Sequence, residues 1–277
     1  MKDRSITVRC RAARGLDEVL RQLRHAGAEK ACAKPGSCEA QRGLMSFVFR
    51  QHSTQTDAMP APVTWLASFP RSGNTLLRVV LKSCFGLDSA SIYGDQEFPD
   101  ATVSALVGEQ AVGPDVQAFL RQARAMRRSL LVKTHELPGA DHHPAIYVLR
   151  DGRSALVSRW HYSRDLLGRA DSLTDVIAAT GAESWSRHAR AWTGRPGTLV
   201  LRYEKLVAGD AQTLAHIADF LDRPQTAPFA IDFAKLNAMN PAFFRKGSDA
   251  ANIAEMDAAD SALFERLHGE TLHALGY

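Results

Sequence analysis

No apolar run in these 277 residues approaches the ~20 that a membrane span needs. The first residues carry no short apolar core followed by small side chains, so nothing there reads as a secretory signal. Cysteine is scarce. Cys10, Cys32, Cys38 and Cys84 fit no zinc-binding spacing, and four are too few for a disulfide framework in a chain of this size. A reducing, cytoplasmic setting is expected. The two-glycine frame and the closing Lys of a Walker A loop are missing, and no Walker B carboxylate stands out to hold magnesium. His142 and His143 adjoin Asp141, but adjacent histidines on a loop read as solvated side chains, not as metal ligands. Internal repeats and low-complexity tracts are also lacking.

What is present begins with charge. Lys and Arg number 34 against 30 Asp and Glu, a net charge of +4. The excess sits in the first 60 residues, and the remainder is close to balance. Between Arg4 and Arg42 no aromatic residue interleaves the basic ones, unlike the surfaces that bind single-stranded nucleic acid. Residues 1–62 therefore read as a basic extension, partly disordered, with one amphipathic helix over 15–30 and a linker ending in Pro60-Ala61-Pro62. Met45 and Met59 are both plausible starts. No nucleic-acid partner is expected.

The folded body is expected over 63–277. Short apolar runs at Val63–Phe69, Leu130–Lys133, Ile146–Arg150 and Thr198–Arg202 read as strands. Helical spacing follows at Asn74–Phe85, Asp115–Arg128, Arg153–Tyr162, 173–180 (opened by a Ser172/Asp175 capping box), 211–221 and about 260–274. Strands alternating with helices predict a three-layer α/β fold with a central, mainly parallel sheet.

Ser68-Phe69-Pro70-Arg71-Ser72-Gly73-Asn74-Thr75 lies between the first strand and the first helix. A turn there aims free backbone N–H groups, and the positive end of the helix dipole, at one point. Gly73 lets the backbone approach an anion, Arg71 brings a full charge, and Ser72 and Thr75 bring hydroxyls. The segment reads as a phosphate cradle; the plain alternative is an ordinary strand-to-helix turn. Arg150 ends the third of these strands, where open α/β sheets bind ligands, and Ser158 follows on the next helix. An arginine fork suits a phosphate. The alternative is that Arg150 pairs with a nearby carboxylate.

TWLASFPRSGNTLLR closely resembles the 5′-phosphosulfate loop of sulfotransferases that use 3′-phosphoadenosine 5′-phosphosulfate (PAPS). The resemblance continues in the family's order over about 63–250. It implies a P-loop-type fold in which Arg71, Ser72, Gly73, Asn74 and Thr75 hold the 5′ end of PAPS, while Arg150, Ser158 and Arg245 hold the 3′-phosphate. Tyr203 would contact the nucleotide near its adenine and Phe233 would stack on it. Phe243-Phe244-Arg245-Lys246-Gly247 resembles the element whose Arg, Lys and backbone amides near the Gly close over the 3′-phosphate. Leu131-Val132-Lys133-Thr134-His135 resembles the Lys-Thr-His element, with His135 as general base and Lys133, together with Arg71, stabilising the leaving group.

The implied reaction is in-line transfer of a sulfuryl group to an acceptor hydroxyl, with PAPS as donor and no metal required. Some positions depart from the animal enzymes: Arg71 stands for Lys, Asn74 for Thr, Leu76 for a Trp, and SDAANIAEMD for the usual Gly-Asp-Trp stretch. A bacterial-type member is implied. The rival readings are an ATP-using P-loop kinase, which the missing Walker Lys opposes, and a module that binds PAPS without catalysis, which the Lys133–His135 pair opposes. The acceptor, a small molecule, is expected in loops 87–114 and 161–195, where His161 is a candidate lining residue. Asp95, Glu97 and Asp100 with Tyr93 and Phe98 could meet a cationic acceptor, though a solvated acidic loop is the simpler reading. The sequence names neither the acceptor nor the oligomeric state.

Overall fold

The computed structural model describes residues 63–94, 101–113, 115–125, 129–239, 244 and 249–277. The N-terminal extension with its 15–30 stretch, the acidic loop at 95–100 and the Arg245-Lys246-Gly247 element lie outside the described residues, as does the side chain of Phe233.

Strands β1 (Val63–Ser68), β2 (Ala90–Ser91), β3 (Leu130–Thr134), β4 (Ala145–Leu149) and β5 (Thr198–Arg202) form one sheet in the order β2-β3-β1-β4-β5. Every neighbouring pair is parallel. Parallel neighbours require crossover segments, and helices in those segments cover both faces, although β3 and β4 are joined by the irregular stretch 135–144. The alternation of side chains shows it. Leu66, Ile146 and Val148 point into a core shared with α1 (Asn74–Phe85) and α8 (Ala211–Leu221). Ala67, Ala145, Tyr147 and Leu149 point the other way, toward α4 (Gly152–Asp165), α6 (Trp185–Thr193) and α11 (Ala258–Ala274). α3 (Val116–Ala125) covers the β3 end of that second face through Leu120 and Ala123. The result is the expected layered α/β fold. Each fully buried Leu or Ile in these cores contributes roughly 1.5–3 kcal/mol.

Local signals set the ends. Gly86, left-handed at φ 67°, closes α1. The Asp151 carboxylate caps α4 by accepting from the Arg153 N–H. The Ser172/Asp175 capping box opens α5 (Leu173–Ala178) as expected. Two expectations are corrected: 87–114 carries a helix at Ala101–Val107, and 161–195 carries α6 besides the expected helix at 173–180. Trp185, Ala189 and Trp192 are the buried stripe of α6. The period is hard to read because Ser186 and His188, both polar, are also buried there. β2, with two residues, is too short to carry a period at all.

Candidate active site

The C-terminal ends of β1, β3 and β4 converge on a cavity of about 700 Å³, within the size range usual for small-molecule sites. Its walls bring together Arg71, Gly73, Asn74, Thr75, Lys133 and His135 with Arg150, Ser158 and Tyr203. Leu76 also lines it.

The loop after β1 is tightly built. Arg71 adopts a left-handed φ of 66° and Gly73 one of 104°. Only glycine takes such angles without strain. A Cβ on Gly73 would also stand 2.5 Å from the Tyr203 ring. The Asn74 amide donates to the carbonyl of Leu66 at 2.8 Å, so it braces the loop against β1. Ser72 is fully buried, yet among the described residues its hydroxyl has no hydrogen-bond partner. A buried hydroxyl without a partner is costly. In a loop that also presents backbone N–H groups, a bound phosphate oxygen would supply the missing acceptor.

His135 has a fixed tautomer. Its Nδ1 lies 2.8 Å from the carbonyl oxygen of Ser68, which can only accept, so Nδ1 carries the proton. Nε2 therefore keeps its lone pair. Burial first, and then the Lys133 charge, push the imidazole well below its usual value, so it is neutral near pH 7.

The backbone around this ring is held from three sides. The Tyr93 hydroxyl accepts from the His135 N–H at 2.9 Å. The His188 Nε2–H donates to the His135 carbonyl at 3.0 Å, and the Trp192 indole N–H donates to the Glu136 carbonyl at 3.0 Å. His188 thus has Nδ1 free to accept from the Tyr147 hydroxyl at 3.1 Å. Tyr93 also stacks on the His135 ring at 5.9 Å, and the Lys133 ammonium lies 5.5 Å from the centre of the Tyr93 ring. The sequence offered no local signal for His188 or Trp192, since both act on β3 from a helix some 50 residues later. It placed Tyr93 with a possible acceptor; the structure sets it in the cavity wall, against the His135 ring.

Lys133 is buried, and burial followed by the charges of Arg78 and Arg71 pushes its ammonium well below the usual lysine range. Arg71 lies 5.0 Å over the Tyr162 ring, with its Nε 3.5 Å from the Ser158 hydroxyl. Arg150 stacks on Tyr203 at 4.2 Å and donates to the Arg71 carbonyl at 2.9 Å, which ties the two halves of the cavity together. Its remaining donors meet Asp249, at 2.7 and 2.6 Å, in α10 (Asp249–Ile253). The carboxylate alternative for Arg150 is thus realised. Asp249 also accepts from Ser154 at 2.6 Å. His161, expected near the acceptor, is instead paired with Glu255 at 2.5 Å and does not line the cavity.

Comparison with known proteins gives this geometry a setting. The family model for the sulfotransferase domain matches residues 61–276. Among curated proteins, WSCD family member CG9164 of Drosophila melanogaster is 30% identical over 191 residues, covering 62% of this chain and 54% of the relative. WSCD family member GA21586 of Drosophila pseudoobscura pseudoobscura is 30% identical over 181 residues, covering 58% and 51%. The chain thus spans about half the length of the curated relatives it matches. Among solved structures, mouse sulfotransferase SULT7A1 complexed with PAP superposes with a TM-score of 0.52 at 17% identity, over 76% of this chain and 83% of that one. A retinol dehydratase in complex with androsterone and the inactive cofactor PAP superposes at 0.50 and 20%, over 76% and 80%. At such identities the likeness is one of fold.

Proposed function

The chain belongs to the sulfotransferase domain family, and from that premise we propose that it transfers a sulfuryl group from PAPS to an acceptor hydroxyl, with His135 as general base. The observation that carries this reading is the hydrogen bond that commits Nδ1–H of His135 to the Ser68 carbonyl and leaves the Nε2 lone pair for a substrate proton; burial favours the neutral ring. The residues present fit the donor: a buried Ser72 hydroxyl without an acceptor, a phosphate-type loop at a helix start, and two arginines joined through the Arg71 carbonyl.

When bound, the donor supplies an activated sulfuryl group. His135 Nε2 takes the acceptor's hydroxyl proton as the new O–S bond forms. The old S–O bond breaks toward the 5′-phosphate, which leaves with the electron pair. Lys133 and Arg71 stabilise the charge that builds on that oxygen, more in the transition state than before it. Arg150 and Ser158 hold the 3′-phosphate together with Arg245, and Tyr203 backs the Arg150 guanidinium. Loss of the base should cost about 10²–10⁴-fold in rate.

Calorimetric titration with PAP (adenosine 3′,5′-bisphosphate), free of metal, beside 5′-AMP and magnesium-ATP, tests the reading. Binding that requires the 3′-phosphate and collapses in Arg150→Ala is expected. A preference for magnesium-ATP would overturn it in favour of a kinase. PAP binding that survives His135→Ala, with turnover lost, separates an enzyme from a binding module.

A further inference from the structure

The donor-binding residues occupy only part of the cavity. From Ser158 onward along α4 its wall turns to Arg159, Tyr162 and Ser163, then to the segment bearing Leu167 and Arg169, then to Ala182 and Glu183 in a short 3-10 turn. Glu136, next to the base, faces the same space. Leu167 and Ala182 are the aliphatic residues of this wall; the others are charged, hydroxylic or aromatic with a hydroxyl. Arg159 pairs with the Glu183 carboxylate at 3.2 Å and donates to its backbone carbonyl at 3.2 Å, while packing 5.4 Å from the Phe69 ring. The Arg169 guanidinium has no hydrogen-bond or ion-pair partner among the described residues. An annex of about 190 Å³ shares Arg159, Ser163, Arg169 and Glu183 with the main cavity and adds Asp171, Asp175, Val176 and Ala179.

We infer that this wall is an acceptor subsite for a polyhydroxylated, sugar-like alcohol, read by Glu136, Arg169 and the Arg159–Glu183 pair, with the annex taking a second ring. The inference rests on the proposed sulfuryl transfer and names its acceptor class. The physical ground is the cost of covering such a wall. A flat apolar alcohol, such as a sterol or a simple phenol, would strip water from the Arg169 guanidinium and from the outward sides of the Glu136 and Glu183 carboxylates, which Tyr93 and Arg159 satisfy only in part, and return almost no hydrogen bonds. Buried charged groups left without partners are strongly unfavourable. A polyol instead donates to the carboxylates and accepts from the guanidinium groups, with both signs of charge spaced along one wall. Sites built to hydrogen-bond their substrate reject analogues lacking those groups by about 10⁴–10⁵-fold. The Glu136 carboxylate, 3.3 Å from the Tyr93 hydroxyl, fixes one acceptor group beside the base. A neighbouring hydroxyl that donates there would present the next one to His135.

The test uses the PAP-loaded full chain. Saturation-transfer NMR is run against neutral and acidic mono- and disaccharides on one side, and sterols, retinol and 2-naphthol on the other. Saccharides that bind are then offered with PAPS. Saccharide binding and turnover are expected, with KM raised at least tenfold in Arg169→Ala and in Glu183→Gln while PAP affinity holds. Binding or turnover confined to the apolar alcohols overturns the inference, as does a saccharide KM unmoved in both variants. Failure to bind PAP at all is a different result: it removes the donor reading on which the inference stands.

Discussion

The Arg150 guanidinium is gripped by one oxygen of the Asp249 carboxylate, which accepts from Nε at 2.7 Å and pairs with Nη2 at 2.6 Å, inside the cavity wall where a nucleotide phosphate is proposed to sit. One carboxylate oxygen, Oδ1, thus occupies the edge of the guanidinium that a phosphate would otherwise take. A 3′-phosphate must therefore take Arg150 from Asp249 or share it. Asp249→Ala is expected to tighten PAP binding by about tenfold, the equivalent of roughly 1.4 kcal/mol. Calorimetry checks it. Weaker binding in the variant would mean that Asp249 orients Arg150 for the ligand instead of competing with it.

Lys133 makes a second prediction through its depressed ammonium. With Arg78 and Arg71 nearby and burial against it, the free protein favours the neutral amine more than a solvated lysine would. A bound phosphate brings the opposite charge and raises that pKa again. PAP binding should therefore take up protons where the free-state amine is partly neutral. Calorimetry in buffers of different ionisation enthalpy, from pH 7 to 9, measures this. The uptake should vanish in Lys133→Met, and proton release by the wild type would contradict the assignment.

Tyr93 is expected to act on the base rather than on the donor. Its hydroxyl receives the His135 N–H, and its ring lies against both His135 and Lys133. Tyr93→Phe keeps the ring and loses the hydroxyl. A fall in kcat of about tenfold, with PAP affinity unchanged, is the expected outcome, since small misplacements of catalytic groups cost up to ~10²-fold. Tyr93→Ala should fall further.

His188 links the site to stability in acid. Burial lowers its pKa from 6.5 to about 4. Between those values the unfolded chain binds the proton and the native one does not. Stability is therefore full above pH 6.5 and is lost as pH falls toward 4, by about 3 kcal/mol from this group. His188→Gln can keep both partners, donating to the His135 carbonyl and accepting from Tyr147, without titrating. Its melting temperature should fall less steeply than that of the wild type between pH 6.5 and 4.

The parts of this site that sit in one stretch of chain were legible in the sequence. The loop Phe69–Thr75 carries its strand, its turn and its helix start within a dozen residues. Helices with a clear apolar stripe, such as Asn74–Phe85 and Ala211–Leu221, were also readable to the residue. What stayed hidden depends on distance along the chain. The grip on His135 comes from Tyr93, His188 and Trp192, and the grip on Arg150 from Asp249, 99 residues away. A composition of Ser, Arg and His over 184–193 masks a helix whose buried histidine is satisfied only by partners on other elements. Side-chain pairing of that kind has no period to read.

The parallel ladder has one further consequence. Leu66 is registered with Lys133 and Ala67 with Thr134 on one side of β1, and Ser68 with Val148 on the other. His135 just after β3, the Phe69–Thr75 loop after β1 and Arg150 just after β4 are therefore graduations on one ruler, separated by strand spacings of about 4.8 Å. Their relative positions are set by backbone hydrogen bonds and not by the flexible side chains themselves. A slip of one residue between β1 and β3 would turn Lys133 to the opposite face. Loops around the rim can change while the spacing of His135, the Phe69–Thr75 loop and Arg150 stays fixed.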